Sequence, residues 1–521
     1  MQAEAGTLAM KHADPIADVP REVELKLHLP SGSRAILEAS SYFVAAEPTQ
    51  RHLVTTYFDT AEGLLDGAGL TLRVRRSGDA LTQTVKSRAA GRSVASDRRE
   101  WEWPIRQDHP DTACIARVTE LAGIAKAIDG RLQPLFVTDI RRSTRLLRLE
   151  GSTIVEAAFD EGCIIASTGR ESVCELELEL KGGHVSPLYQ LAAHLHAVAP
   201  FWISPESKAA RGWRLQRGGG DGAQKAHAPK LGRNIGAAEA VHDIIGAGLG
   251  HLIANIGPTL QGDPEGLHQM RVALRGCRAA LRLFMPYLDA VVARELDAEV
   301  RRFSHILGTA RDWDVFVLEA LPAASTVLSA TQLRALQHAG ERERQKANSA
   351  VKEAVQGHDF TELILRLAGW LEAELVKPRL IGDRCKERGA RSLIPEILDR
   401  AASRTRKRAR HAGRLSAADR HLLRKSLKRL SYAVGQLAGP YGRRTVKTYR
   451  TRCATLQRML GAANDASVTR TLAVGLVADK DPALAEAGGA LASWSDHQRR
   501  KALKGFGRAT TKLFEARRFW V

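Results

Sequence analysis

The stretch EVELKLHL, residues 22–29, alternates charged and apolar side chains with a period of two, the pattern of a strand with one charged face. Glu22, Glu24 and Lys26 fall on one side, Val23, Leu25 and Leu27 on the other. Five later segments repeat the alternation: LTLRVRR (70–76), LTQTVKS (81–87), REWEWPI (99–105), TIVEAAFD (153–160) and CELELELK (174–181). Helical spacing intervenes around residues 186–199, so the first part of the chain is expected to be mainly β with some helix. The charged faces come as separate blocks: Arg73 with Arg75, Glu100 with Glu102, and Glu175 with Glu177, Glu179 and Lys181. Lys86 and Arg142 sit in comparable segments, and Asp160 shares a face with Glu156. A solvated outer face accounts for any one strand. A closed antiparallel barrel, however, would turn acidic and basic blocks toward each other across a lumen. Carboxylates there offer hard oxygen ligands for magnesium, and Arg and Lys neutralise phosphate oxygens, so the lumen suits a metal-bound phosphate chain.

Beyond residue 234 the period changes to that of long helices, as in HQMRVALRGCRAALRLF (268–284) and ARELDAEVRRFSHILG (293–308). The expected fold class is therefore α+β and multidomain: a β-barrel tunnel at residues 21–217, then an all-α domain at 234–521. Residues 1–20 read as a flexible tail, and the Gly-rich 218–233 as a linker whose cutting would separate the two parts. A repeat shows within the helical part. His268, Arg271 and Arg275 align with His421, Arg424 and Lys428 at an offset of 153, which also carries Leu307-Gly308 onto Leu460-Gly461 and Asp312 onto Asp465. The reading is a duplicated helical bundle, 234–350 and 355–521.

Charge divides the same way. The net charge is +20, and residues 234–521 hold 48 Lys+Arg against 29 Asp+Glu, leaving 30 against 29 for residues 1–233. A polyanionic partner of the helical part follows. His268, Arg271, Arg275, Arg278 and Arg282 share one side of a helix, and His421, Arg424, Lys428 and Arg429 repeat the arrangement. A histidine at a helix start also serves as a cap or packing residue. Aromatic content is 5%, which gives bases little to stack on, so inorganic polyphosphate is preferred over nucleic acid as that partner. No apolar run approaches the ~20 residues of a membrane span, the first residues lack a signal-peptide core, and the six cysteines form no CxxC pair. A cytoplasmic location without membrane association is expected.

The ordered set Glu22-Val-Glu24-Leu-Lys26, Thr56 to Thr60, Arg73-Val-Arg75, Thr84-Val-Lys86, Arg98-x-Glu100-x-Glu102, Asp139 to Arg142, Asp160-x-Gly162, Glu175-Leu-Glu177-Leu-Glu179 and Ser207-Lys208 resembles the CYTH, or triphosphate tunnel metalloenzyme, superfamily. The resemblance implies a tunnel enzyme that cleaves triphosphates or cyclises ATP with magnesium or manganese. Glu22, Glu24, Asp160, Glu175 and Glu177 would face the metal. Lys26, Arg73, Arg75, Lys86, Arg142 and Lys208 would hold the phosphate chain, with Glu22, Glu24 and Lys26 as the catalytic group. Glu179 is a third-ligand or outer-shell candidate. HQMRVALRGCRAALRLF with LGTARDWDVF, and HLLRKSLKRLSYAV with LQRMLGAANDASV, resemble the CHAD domain, which implies a basic helical groove for polyphosphate and association with polyphosphate granules. Ser431 and Gly276-Cys277 depart from the basic or bulky residues of that pattern. Two classes of function stand: an inorganic triphosphatase, or a non-catalytic polyphosphate-binding or granule-targeting protein. Action on ATP or thiamine triphosphate is a further enzymatic alternative.

Overall fold

Nine strands form one antiparallel sheet in the computed structural model, which describes residues 21–87, 95–204, 206–219, 222–229, 231–232, 235, 237–376, 390–476 and 482–521. The tail, 1–20, lies outside the described residues. The strands are β1 (Arg21–His28), β2 (Thr49–Asp59), β3 (Leu70–Ser77), β4 (Ala80–Ser87), β5 (Ser96–Ile105), β6 (Gln133–Arg148), β7 (Ile154–Ala166), β8 (Gly169–Gly182) and the short β9 (Trp202–Ile203). Their order is β5-β4-β3-β2-β6-β7-β8-β1-β9, and β1 also pairs with β5, so the first eight close into a barrel. The period of two then sorts β1, β3, β5 and β8 into a charged interior and an apolar exterior, whereas β2 turns Leu53 and Tyr57 toward the lumen. Leu25 and Leu27 of β1 and Leu176 and Leu178 of β8 are fully buried outside the barrel, against Leu188, Leu191 and Leu195 of the helix Ser186–Val198. Each such burial contributes about 1.5–3 kcal/mol, which offsets the cost of turning carboxylates and ammonium groups inward.

Helices follow. Ala237–Ala254, Pro264–Phe284, Ala290–Val315 and Ala330–Gln356 recur as Ala390–Arg408, Ala417–Leu437, Arg443–Leu476 and Pro482–Ala502, the first three pairs starting 153 residues apart. Capping recurs as well: the Asp263 side chain accepts from the Glu265 N–H, and Ser416, at the matching position, accepts from the Asp419 N–H. The recurrence begins again at Ala390, and the helix His358–Val376 stands outside it. That helix packs on Ser186–Val198 of the barrel part, close enough at Gly369 that a Cβ there would lie 3.2 Å from the Tyr189 Cβ. Across the same contact the His196 and His358 rings stack at 4.0 Å, and His196 Nε2 donates to the His358 carbonyl.

One apolar core therefore runs from the barrel exterior into the helices, and Leu231 belongs to it. Within residues 218–233, two of the described positions are anchored, while most of the others are exposed. Leu231 is buried, and the Gln224 backbone is held by Asn255. Cutting there would expose apolar surface on both sides. Among the described residues, no helix is long and apolar enough to cross a membrane, and Cys163, Cys277 and Cys453 are buried free thiols.

Candidate active site and basic helical face

Strand register decides which charges meet inside the barrel. Lys26 on β1 stands opposite Glu177 on β8, Arg142 on β6 opposite Asp160 on β7, and Asp160 opposite Glu175. The result is a carboxylate triad: one oxygen from each of Asp160, Glu175 and Glu177 lies within 4.8 Å of the others. Asp160 and Glu175 are each 1% exposed. Lys208, at the first turn of the helix Lys208–Arg217, sets its Nζ among them, 2.7 Å from Asp160, 3.0 Å from Glu177 and in contact with Glu175. Arg142 grips Asp160 bidentately at 2.6 and 2.7 Å and also reaches Glu177, while Lys26 lies 2.5 Å from Glu177. Burial would raise the Glu177 and Asp160 pKa values. The adjoining Lys208 and Arg142, with Lys26 at Glu177, instead hold both below the ordinary carboxylate values. Three converging hard oxygen donors fit a magnesium or manganese ion, and Lys208 and such an ion would compete for the same oxygens.

Glu22 and Glu24 do not join that triad. Glu22 accepts from Lys86 at 2.8 Å and from Arg98 at 2.8 Å, and Glu24 pairs with Lys26 at 2.8 Å and with Arg98. Burial works against the charge on Glu22, but Lys86 and Arg98 hold its pKa well below the usual range. Lys86 also meets Glu100 at 2.9 Å, and Arg73 approaches Glu100 at 3.5 Å. Glu179 is apart from the triad, paired with Lys181 at 2.7 Å, and burial pushes its pKa up. Arg75 differs from the other cations: its hydrogen bond, to Thr55 at 3.4 Å, is to a neutral group, and it has no carboxylate in ion-pair contact among the described residues. Burial, with Arg73 and Arg142 nearby, pushes its pKa down to about 10. The Arg73 Nε is likewise buried without a hydrogen-bond partner among the described residues. A buried cation such as Arg75, without a carboxylate of its own and beside a carboxylate triad, is what a metal-bound anion would complete.

The sequence reading assigned no role to Arg98 or Arg211. Arg98 bridges Glu22 and Glu24, and Arg211 bonds Glu171 at 2.6 Å and Glu175 at 3.4 Å. The signals were there: Arg98 precedes Glu100 by two on one strand face, and Arg211 follows Lys208 by three on one helix face. Both residues of that helix depend on Gly212, where a Cβ would sit 2.1 Å from the Phe136 ring on β6. Gly212→Leu is expected to cost about 1–3 kcal/mol and to lift Lys208 and Arg211 from the carboxylates. Thermal melts together with phosphate release would check this, the expected outcome being a lower Tm and lower turnover.

In the helical part the basic residues form two groups. Arg271, Arg275, Arg424 and Lys428 face one another, with His268 and His421 beside them, where Pro264–Phe284 meets Ala417–Leu437. Arg271 reaches Asp312 at 3.2 Å, but Arg275 has no carboxylate in ion-pair contact among the described residues, and the buried Arg424 Nε has no hydrogen-bond partner there. Burial with Arg271 and Arg424 pushes Arg275 down to about 10, and burial with Arg275, Arg424 and Arg271 pushes Lys428 down to about 7. Arg278 and Arg282 instead share Asp297 at 3.0 and 2.7 Å, with Arg429 and Arg404 nearby. Gly276 is explained by contact: a Cβ there would lie 3.2 Å from the Tyr432 ring.

The CYTH domain family matches residues 20–213 and the CHAD domain family residues 243–474. An inorganic triphosphatase of Haemophilus influenzae is 31% identical over 196 residues, 37% of this chain; the chain spans only about half of that relative, 55%. The crystal structure of the CHAD domain from the plant Ricinus communis aligns with a TM-score of 0.51 at 27% identity, covering 57% of this chain and 98% of that one. The protein thus carries a CYTH domain whose barrel encloses the carboxylate triad, followed by a CHAD domain that bears the basic face.

Proposed function

We propose that the barrel hydrolyses inorganic triphosphate with a magnesium or manganese ion held by Asp160, Glu175 and Glu177, and that the basic helical face binds inorganic polyphosphate. The observation that carries the first part is the carboxylate triad beside Arg75, a buried cation with no carboxylate in ion-pair contact among the described residues, within one closed barrel. A pure anion binder gains nothing from buried carboxylates beside its ligand, because they repel it. The likeness to an inorganic triphosphatase supports the same substrate.

The bound divalent ion would neutralise phosphate charge and polarise an oxygen at the reacting end. This chain's own residues do the positioning. Arg75, Arg73 and Arg142 bind phosphate oxygens, Lys26 and Lys86 offer ammonium groups, and the closed wall limits competing water. Glu22, kept ionised by Lys86 and Arg98, fixes those two cations rather than taking a proton. Phosphoryl transfer through a loose transition state asks mostly for this kind of placement and charge. Phosphate release by the full chain from triphosphate, ATP and thiamine triphosphate tests the substrate. Triphosphate is expected to give the highest kcat/KM, and a preference for either organic substrate would overturn the assignment.

For the helical face the support is the cluster of Arg271, Arg275, Arg424 and Lys428, whose mutual repulsion an anion relieves. Displacement of bound polyphosphate by RNA at equal phosphate concentration and fixed ionic strength would reverse the preferred partner. The reading also fixes a pH dependence. Lys428, with a pKa of about 7 in the folded chain, must take up a proton to pair with an anion above that pH. Affinity is therefore expected to fall as pH rises from about 7 to about 9, by at most about tenfold per unit. The unliganded fold gains stability over that window, since the unfolded chain holds more protons there. Lys428→Arg should flatten the affinity profile, measured above pH 7 to keep His268 and His421 out of the titration.

A further inference from the structure

The cavity lined by Glu22, Glu24 and Glu177 does not end at the barrel. Its lining, around about 1220 Å³, continues past Lys208 and Trp213 to Lys225 and His227 of the connecting segment and to His251 and Gly257 of the helical domain. That exceeds the ~300–1,000 Å³ usual for a small-ligand pocket. The connecting segment is fixed at this mouth. The Gln224 N–H donates to Asn255 Oδ1 at 2.9 Å, and its carbonyl accepts from Asn255 Nδ2 at 3.0 Å and from His251 Nε2 at 2.9 Å. Asn255 is fully buried, and its Nδ2 also donates to the His251 carbonyl at 2.8 Å. The residue after this clamp is Lys225. Neither Lys225 nor His227 has a carboxylate in ion-pair contact among the described residues, in contrast to Lys26, Lys86 and Lys208 deeper in.

We propose that Lys225 and His227, held by the Asn255–Gln224 clamp, form a second phosphate-chain subsite at the tunnel mouth, so that the helical domain helps set the substrate length the barrel accepts. The ligand class is linear inorganic polyphosphate longer than triphosphate. One end occupies the barrel, and the following phosphates run out over Lys225 and His227. A linear polyanion with a charge on every unit needs cationic and hydrogen-bonding groups spaced along its path, and a lone triphosphate would leave these two unused. The proposal rests on the triphosphatase reading of the barrel.

The test uses the full chain and two probes, triphosphate and a long-chain polyphosphate, with magnesium. In the Lys225→Ala/His227→Ala variant, KM for the long chain should rise about fivefold to tenfold relative to KM for triphosphate, each exposed polar contact counting for up to about fivefold. Asn255→Leu, which frees the segment without removing a cation, should shift the same ratio in the same direction, and circular dichroism melts would confirm that it folds. Normal triphosphate turnover with an unchanged ratio in the double variant would overturn the subsite alone. Wild-type protein that hydrolyses neither probe would overturn the barrel reading and the subsite with it.

Discussion

Glu177→Gln is expected to lower kcat/KM for triphosphate by about 10²–10³-fold, the scale on which a metal ligand's surroundings or a charge-stabilising group acts. Glu177 is where the site converges: Lys26, Lys208 and Arg142 all contact it, and its oxygen belongs to the triad with Asp160 and Glu175. The substitution removes one carboxylate charge and leaves three cations less neutralised. Losing one partner of a buried ion cluster costs about 3–5 kcal/mol, so part of the protein could unfold. Two readouts separate the effects. A melt reports the folded fraction, and the magnesium concentration giving half-maximal rate should rise in the folded enzyme, which unfolding alone would not produce. The comparison belongs near neutral pH. Glu177 has a lowered pKa when folded, so its stabilising contribution is present above about 4.5 and is lost as pH falls through the folded value.

Arg275→Met combined with Arg424→Met is expected to raise the Kd for long-chain polyphosphate about 100-fold while increasing the Tm of the unliganded protein. A charge-assisted hydrogen bond to phosphate is worth about 1.5–3 kcal/mol, and removing two of them accounts for the change. The opposite sign in stability follows from the same geometry. Arg275 is buried beside Arg271 and Arg424 without a carboxylate of its own in ion-pair contact, so the free protein carries repulsion that a neutral side chain removes. The slope of log affinity against log salt should also fall by about one unit for each arginine withdrawn from the phosphates. A weaker affinity accompanied by a lower Tm would mean that these arginines hold the bundle together instead.

The fold was legible because period two survives in six of the eight barrel strands, β2 and β6 being the exceptions. EVELKLHL, LTLRVRR and CELELELK became β1, β3 and β8, with their charges inside. The repeat was legible because Pro264–Phe284 and Ala417–Leu437 keep equal length and equivalent caps. Which carboxylates converge was not legible. Glu22 and Glu177 look alike on their strands, and only register puts Glu177 opposite Lys26 and beside Asp160 while Glu22 falls opposite Arg98. The anchoring of Gln224 and Leu231 was hidden for a different reason. A Gly- and Ala-rich run shows no periodicity, yet Asn255 holds Gln224 within it and Leu231 is buried.

The claim that the barrel is a metal-dependent triphosphatase meets its most direct test in phosphate release from triphosphate by the full chain, first after chelation and then through a magnesium titration. Release at background level when chelated, rising to saturation as magnesium is restored, is the expected result. No release from triphosphate at any magnesium or manganese concentration, by protein that still binds polyphosphate, would contradict it.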